Sequence, residues 1–219
     1  MSEAEAPHRF IAVEGPIGVG KTSLAQRLAA SLGAELVLEH PEQNPFLERF
    51  YRNPRAGALP AQLHFLFSRA QQLAALRQQD LFAPARVADY LVAKDRLFAR
   101  LTLDVAELEL YEQVHARLQI DPPQPDLVVY LQAPADVLLE RIARRGLPHE
   151  QLIERGYLER LNDAYARFFH EYEEAPLLIV NAAGIDPVSN PGDYEELLGA
   201  IVRMRRGRLY FNPLRSRGL

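Results

Sequence analysis

The chain has 219 residues, 48% hydrophobic and 25% charged, a size and balance that fit one compact domain and exclude disordered and fibrous classes. Its net charge of −4 argues against a broad electrostatic grip on nucleic acid, and the absence of cysteine excludes disulfides, thiolate zinc sites and cysteine nucleophiles. The stretch from Met1 to Phe10 carries acids and no apolar segment, and no apolar run approaches the length of a membrane helix, so the expected location is cytoplasmic, away from membranes. Among the 25 basic residues only Lys21 and Lys94 are lysines.

In chain order, Phe10-Ile11-Ala12-Val13 reads as a strand that ends at Gly15. A Gly-rich turn follows, then a helix with Leu24, Leu28 and Leu32 spaced four apart. Leu36-Val37-Leu38 predicts a second strand ending in Glu39, with a turn from Pro41 to Pro45. A long helix is expected from about Pro60, in its first turn, to about Gln79, because Leu63, Leu66, Phe67, Ala70 and Leu73 share one stripe. Ala85 to Leu91 is read as a third strand, and Asp104 to Leu118 as a helix capped by Asp104. After a turn at Pro122, Pro123 and Pro125 comes the clearest buried strand, Leu127 to Leu131. Helices are expected at Ala135 to Arg145, Gln151 to Tyr172 and Asp193 to Arg205, with a last strand at Leu177 to Val180. Strands alternating with helices imply a single α/β domain over residues 1–219, built on a five-stranded parallel sheet with helices on both faces.

Gly15-Pro16-Ile17-Gly18-Val19-Gly20-Lys21-Thr22 matches the phosphate-loop pattern G-x-x-x-x-G-K-[ST], placed between a strand and a helix as that pattern requires. Glycines let successive N–H groups turn toward an anion, and the following helix adds its positive end. Gly15, Gly18, Val19, Gly20, Lys21, Thr22 and Ser23 are the expected triphosphate contacts, with Lys21 at the β- and γ-phosphates and the Thr22 hydroxyl on Mg²⁺. The guanine-reading N-K-x-D is absent, as is D-x-x-G after a second strand, so a P-loop small-molecule kinase is the expected class.

Further polar residues follow in series. Glu39 ends the second strand, and Tyr51 precedes Gln62 and Arg69, which stand seven apart and so within about 20° of each other on one helix face. Asp89 leads Asp89-Tyr90-Leu91-Val92-Ala93-Lys94-Asp95-Arg96, at a strand end suited to Mg²⁺. Arg141, Arg144, Arg145 and Gly146 precede a Pro-containing turn, and Tyr157-Leu158-Glu159-Arg160-Leu161 comes after it. This series resembles the deoxynucleoside kinases over nearly the whole chain.

The resemblance implies ATP as donor, Mg²⁺, a deoxynucleoside acceptor and a homodimer. Glu39 would take the 5′-hydroxyl proton. Tyr51 and Glu159 would hold the sugar, and Gln62, Arg69 and Asp95 the base, with adenine, cytosine or guanine favoured over thymine. Arg141 and Arg145 would belong to a lid at about residues 141–152. Where the family carries an acid-Arg-Ser signature, this chain keeps the acid at Asp89 but has Tyr90 and Leu91 after it. The missing cation is then expected from Arg96 or a lid arginine. A nucleoside monophosphate kinase and a catalytically silent kinase-like subunit are the alternatives. Against the first stands the Tyr51, Gln62, Arg69 series, and against the second the joint presence of Lys21, Thr22, Glu39 and Asp89.

Overall fold

The computed structural model describes residues 8–78 and 85–213, without the side chains of residues 76–78. Six parallel strands form one sheet: β1 (Phe10–Glu14), β2 (Glu35–Val37), β3 (Arg86–Ala88), β4 (Leu127–Gln132), β5 (Leu177–Asn181) and β6 (Arg208–Phe211). Their order is β2-β3-β1-β4-β5-β6. The helices are α1 (Lys21–Leu32), α2 (Leu47–Arg52), α3 (Pro54–Gln78), α4 (Lys94–Thr102), α5 (Val105–Leu118), α6 (Ala135–Arg145), α7 (Arg155–Glu171) and α8 (Pro191–Arg203). None among the described residues is long and apolar enough to cross a membrane.

β4 shows why the sheet is covered twice. Leu127, Val129 and Leu131 pack with α1, α6 and α8, whereas Val128 and Tyr130 pack with α4 and α7. A strand buried on both faces reads as a continuous apolar run, and LVVYL is such a run. The strand ends of β1 and β3 lie side by side, which brings the phosphate loop after β1 next to Asp89 after β3.

The sheet has six strands rather than five. The extra one, β6, is a four-residue edge strand whose Leu209 and Tyr210 are exposed, so no buried run announces it. α8 stops at Arg203, short of the expected Arg205. Pro60 lies inside α3, because the helix starts earlier with Pro54 in the first-turn position. The expected end of that helix at Gln79 falls outside the described residues. The expected helix from Gln151 divides into a 3₁₀ turn, Glu150–Leu152, and α7, because Ile153 and Glu154 are extended between them. Asp104 caps α5 as expected, accepting from the Glu107 N–H while the Glu107 carboxylate accepts from the Asp104 N–H.

Helices α2 and α3 cross at Gly57, where a Cβ would stand 2.5 Å from both Cα and N of Phe50. Gly57→Ala is therefore expected to destabilise the protein by about 1–3 kcal/mol. It should also raise KM for the acceptor, since Leu47, Phe50 and Tyr51 of α2 line the cavity described next. Thermal melting and steady-state kinetics check this; an unchanged Tm would show that the crossing relaxes freely.

Candidate active site

The phosphate loop wraps the start of α1. Gly18 has φ +82°, and a Cβ there would lie 2.8 Å from Ile142, so the loop packs directly on α6. Lys21 Nζ donates to Gly15 O at 2.8 Å and Pro16 O at 3.1 Å. Burial, then the nearby Lys94 charge, pushes the Lys21 pKa down from its ordinary value. Thr22 Oγ1 donates to Asp89 Oδ2 at 2.6 Å, and the Glu39 N–H donates to Asp89 Oδ1 at 2.9 Å. The chain turns sharply after Glu39, with His40 in the left-handed region at φ 55°.

Two cavities meet at this loop. The outer cleft is lined by residues 18–23, Arg141, Arg144, Arg145, Ala182, Ala183 and residues 185–189. Within it, the Arg141 guanidinium donates to Val19 O at 2.9 Å and Ala182 O at 2.7 Å, clamping the loop to the end of β5. The inner cavity brings together Lys21, Glu39, Tyr51, Gln62, Arg69, Asp89 and Asp95. Here the guanidinium of Arg69 donates to both Glu39 Oε1 and Asp95 Oδ1. Lys94 Nζ donates to Glu39 Oε2 at 3.0 Å.

The electrostatics follow from that packing. Burial alone would raise the Glu39 carboxyl, but Lys94, Arg69 and Lys21 outweigh it and hold the pKa at about 2. Burial raises the Asp95 carboxyl in spite of Arg69. The Arg69 guanidinium is itself raised, since Asp95 and Glu39 overcome its desolvation. Asp95 Oδ2 and Arg69 Nε are buried without a partner among the described residues, and the Gln62 amide is buried with a long 3.5 Å contact to Thr102 Oγ1. This is a polar wall with donors and an acceptor free for a ligand.

Two expected residues stand elsewhere. Arg96 follows Asp95 by one helical step, which turns it to solvent and into an ion pair with Glu112. Glu159 lies on the exposed side of α7, opposite Leu158 and Leu161, and pairs with Arg155. Glu150, and not Glu159, lines the inner cavity: it is buried there with Tyr51 and ion-pairs with Arg145. Glu14 was also missed. It is fully buried beneath the loop, accepting from the Gly15 N–H at 2.8 Å, the Leu91 N–H at 2.6 Å and the Tyr165 hydroxyl at 2.8 Å.

Residues 11–204 match the family model for deoxynucleoside kinase. The chain belongs to the deoxynucleoside kinase family. The activity follows with the family: phosphorylation of deoxynucleosides at the expense of ATP. The chain is 37% identical over 193 residues to a deoxyguanosine kinase of Bacillus subtilis (strain 168), covering 86% of this chain and 93% of that one. It is 27% identical over 212 residues to a deoxyadenosine/deoxycytidine kinase of the same organism, covering 92% and 95%. Among solved structures, the deoxyadenosine kinase of M. mycoides with dCMP and a flexible dCDP superposes with a TM-score of 0.76 at 25% identity, covering 88% of this chain and 98% of that one. The same enzyme with bound dATP gives 0.75 at the same identity and coverage.

The placement of the acids yields a contrast in kinetics. Glu150→Gln is expected to lower kcat/KM for the deoxynucleoside at least about tenfold, because a buried polar contact is lost. Arg96→Ala and Glu159→Gln should stay within about twofold of the parent, as exposed pairs contribute little. A large loss in Glu159→Gln with a normal Glu150→Gln would reverse the assignment.

Proposed function

We propose that the chain moves the γ-phosphate of ATP to the 5′-hydroxyl of a purine deoxynucleoside, deoxyguanosine foremost, with Glu39 as the base. The observation that carries the reading is the single buried junction where Lys21, Thr22 and Asp89 from the phosphate side meet Glu39, Arg69 and Asp95 from the acceptor side. An acceptor bound in the inner cavity presents its hydroxyl to Glu39 while the triphosphate lies in the outer cleft.

The Thr22 hydroxyl and Asp89 carboxylate form a set of hard oxygens beside the loop, which suits Mg²⁺. An ion held by these two side chains would supply positive charge against the charge that develops on the phosphates during transfer. Gly15 to Ser23 cradle the triphosphate, and Arg145, reaching both cavities, covers it together with the exposed Arg144. Arg141 serves by fixing the loop rather than by facing the phosphates, since its guanidinium is held by two carbonyls. Glu39 stays ionised at every physiological pH and accepts the hydroxyl proton as the new P–O bond forms.

The sugar lies against Tyr51 and Glu150, and the base against Gln62, Arg69 and Asp95. Asp95 Oδ2 calls for an N–H donor and Arg69 Nε for an acceptor, a demand that a base with an exocyclic amine meets in more ways than thymine, whose sole N–H is at N3. The greater identity to the deoxyguanosine kinase than to the deoxyadenosine/deoxycytidine kinase of the same organism favours guanine among these bases. A homodimer fits the exposed apolar side chains of Phe67 on α3 and of Val105 and Leu110 on α5, which a second copy would cover. A place in cytoplasmic nucleotide salvage fits the substrate.

Two measurements test the reading. In a panel of the four deoxynucleosides with ATP and Mg²⁺, deoxyguanosine is expected to give the highest kcat/KM and thymidine the lowest; thymidine as the best substrate would contradict the base wall. Glu39→Gln should lower kcat about a hundredfold or more with little change in KM for ATP. A kcat near that of the parent would remove Glu39 from the mechanism.

A further inference from the structure

Of the chain's two lysines, Lys21 belongs to the phosphate loop, while Lys94 stands outside every motif role given above. It opens α4 and is buried, with 3% of its surface exposed. Its Nζ donates to Glu39 Oε2 at 3.0 Å and lies 3.7 Å from Glu14 Oε2. Arg69 takes the other Glu39 oxygen, so each oxygen of the carboxylate is held by a cation from a different helix.

The contact with Glu14 gives Lys94 a second consequence. Glu14 is fixed to the first residue of the phosphate loop through the Gly15 N–H and to the segment after β3 through the Leu91 N–H. Lys94 therefore links the carboxylate that anchors the donor loop to the carboxylate that faces the acceptor. Four buried or nearly buried carboxylates, Glu14, Glu39, Asp89 and Asp95, share this region with three cations. Lys21 is engaged by two loop carbonyls, and Arg69 is divided between Glu39 and Asp95. Among the described ion pairs, Lys94 alone joins Glu14 to Glu39. A compact ammonium on a flexible stem has three donors that turn freely, so one Nζ can face two carboxylates in different directions.

At position 90, where the family signature has arginine, Tyr90 turns its hydroxyl to Gln72 Oε1 at 2.7 Å. Its ring lies 5.8 Å from Lys94 Nζ and forms a wall beside the lysine. We propose that Lys94 is the positioning residue for Glu39: an ammonium on α4 does the work of the cation missing after Asp89, tying the base to the phosphate loop. This rests on Glu39 as the base in the reading above. Lys94 acts on the reaction through Glu39, by fixing where its carboxylate meets the 5′-hydroxyl relative to the γ-phosphate.

Lys94→Met, which keeps the stem and removes the charge, is expected to lower kcat about fiftyfold, the scale of a misplacement of about 1 Å, with both KM values within about threefold. Because the effect passes through Glu39, the double variant Lys94→Met/Glu39→Gln should fall no more than about threefold below Glu39→Gln alone. Charge is separated from space-filling with Lys94→Cys, in which that thiol is the chain's sole one. Alkylation with 2-bromoethylamine restores an ammonium, whereas iodoacetamide leaves a neutral adduct of similar length. With each adduct verified by mass, only the ammonium should recover kcat, and this comparison decides the matter should Lys94→Met not fold. The proposal is overturned if Lys94→Met keeps kcat within about threefold, if both adducts recover it equally, or if the losses multiply in the double variant. A normal kcat in Glu39→Gln is a different failure, that of the base assignment, and appears in that variant alone.

Discussion

The constraint on which this site depends is the burial of Arg69 between two carboxylates. Taking ions out of water costs several kcal/mol each, and mutual attraction offsets that cost only if the geometry is good and every partner stays in place. Arg69 lies in α3, Glu39 follows β2 and Asp95 lies in α4, so the pairing holds three elements at one point. Replacing all three by apolar residues could yield an equally stable protein. What the ions add is a fixed direction for the Glu39 carboxylate and a polar wall on the inner cavity.

A carboxylate held at a pKa of about 2 is a weak base, and this bears on how Glu39 works. Strong basicity is of little use where the transition state is loose and the hydroxyl proton leaves late, because the hydroxyl becomes strongly acidic only as it bonds to phosphorus. Under those conditions the requirement is an ionised group in the right place. The cations around Glu39 give up basicity and gain position. The same cluster leaves Lys21 with a lowered pKa through burial and the neighbouring Lys94, so two lysine charges are held near one another by the surrounding carboxylates.

Much of this was legible in the sequence where chemistry and local pattern coincide. β1, the phosphate loop and α1 form a contiguous motif, β4 is an unbroken apolar run, and a seven-residue spacing put Gln62 and Arg69 on one face of α3. The gaps have physical causes. Helix α2 has six residues, and α4 begins with buried Lys94 and Asp95, which interrupt the apolar stripe that would mark a helix. Glu14 reads as an ordinary strand-ending acid because its partners are backbone groups and a tyrosine hydroxyl, Leu91 and Tyr165 being far along the chain. Glu150 was hidden by the break between the 3₁₀ turn and α7, which turns it into the cavity while Glu159, in the more familiar motif, faces solvent. Nothing in the sequence revealed that Lys94 touches Glu39, because the contact joins the start of α4 to the segment after β2, 55 residues apart.

The rate of transfer depends on where the Glu39 carboxylate sits as well as on its charge. Glu39→Asp keeps the charge and withdraws the carboxylate by one methylene. Single-turnover transfer of the γ-phosphate to deoxyguanosine, followed by rapid quench, measures the chemical step directly. The account predicts a rate at least about tenfold below the parent with the affinities for ATP and deoxyguanosine nearly unchanged. A single-turnover rate equal to that of the parent would contradict it.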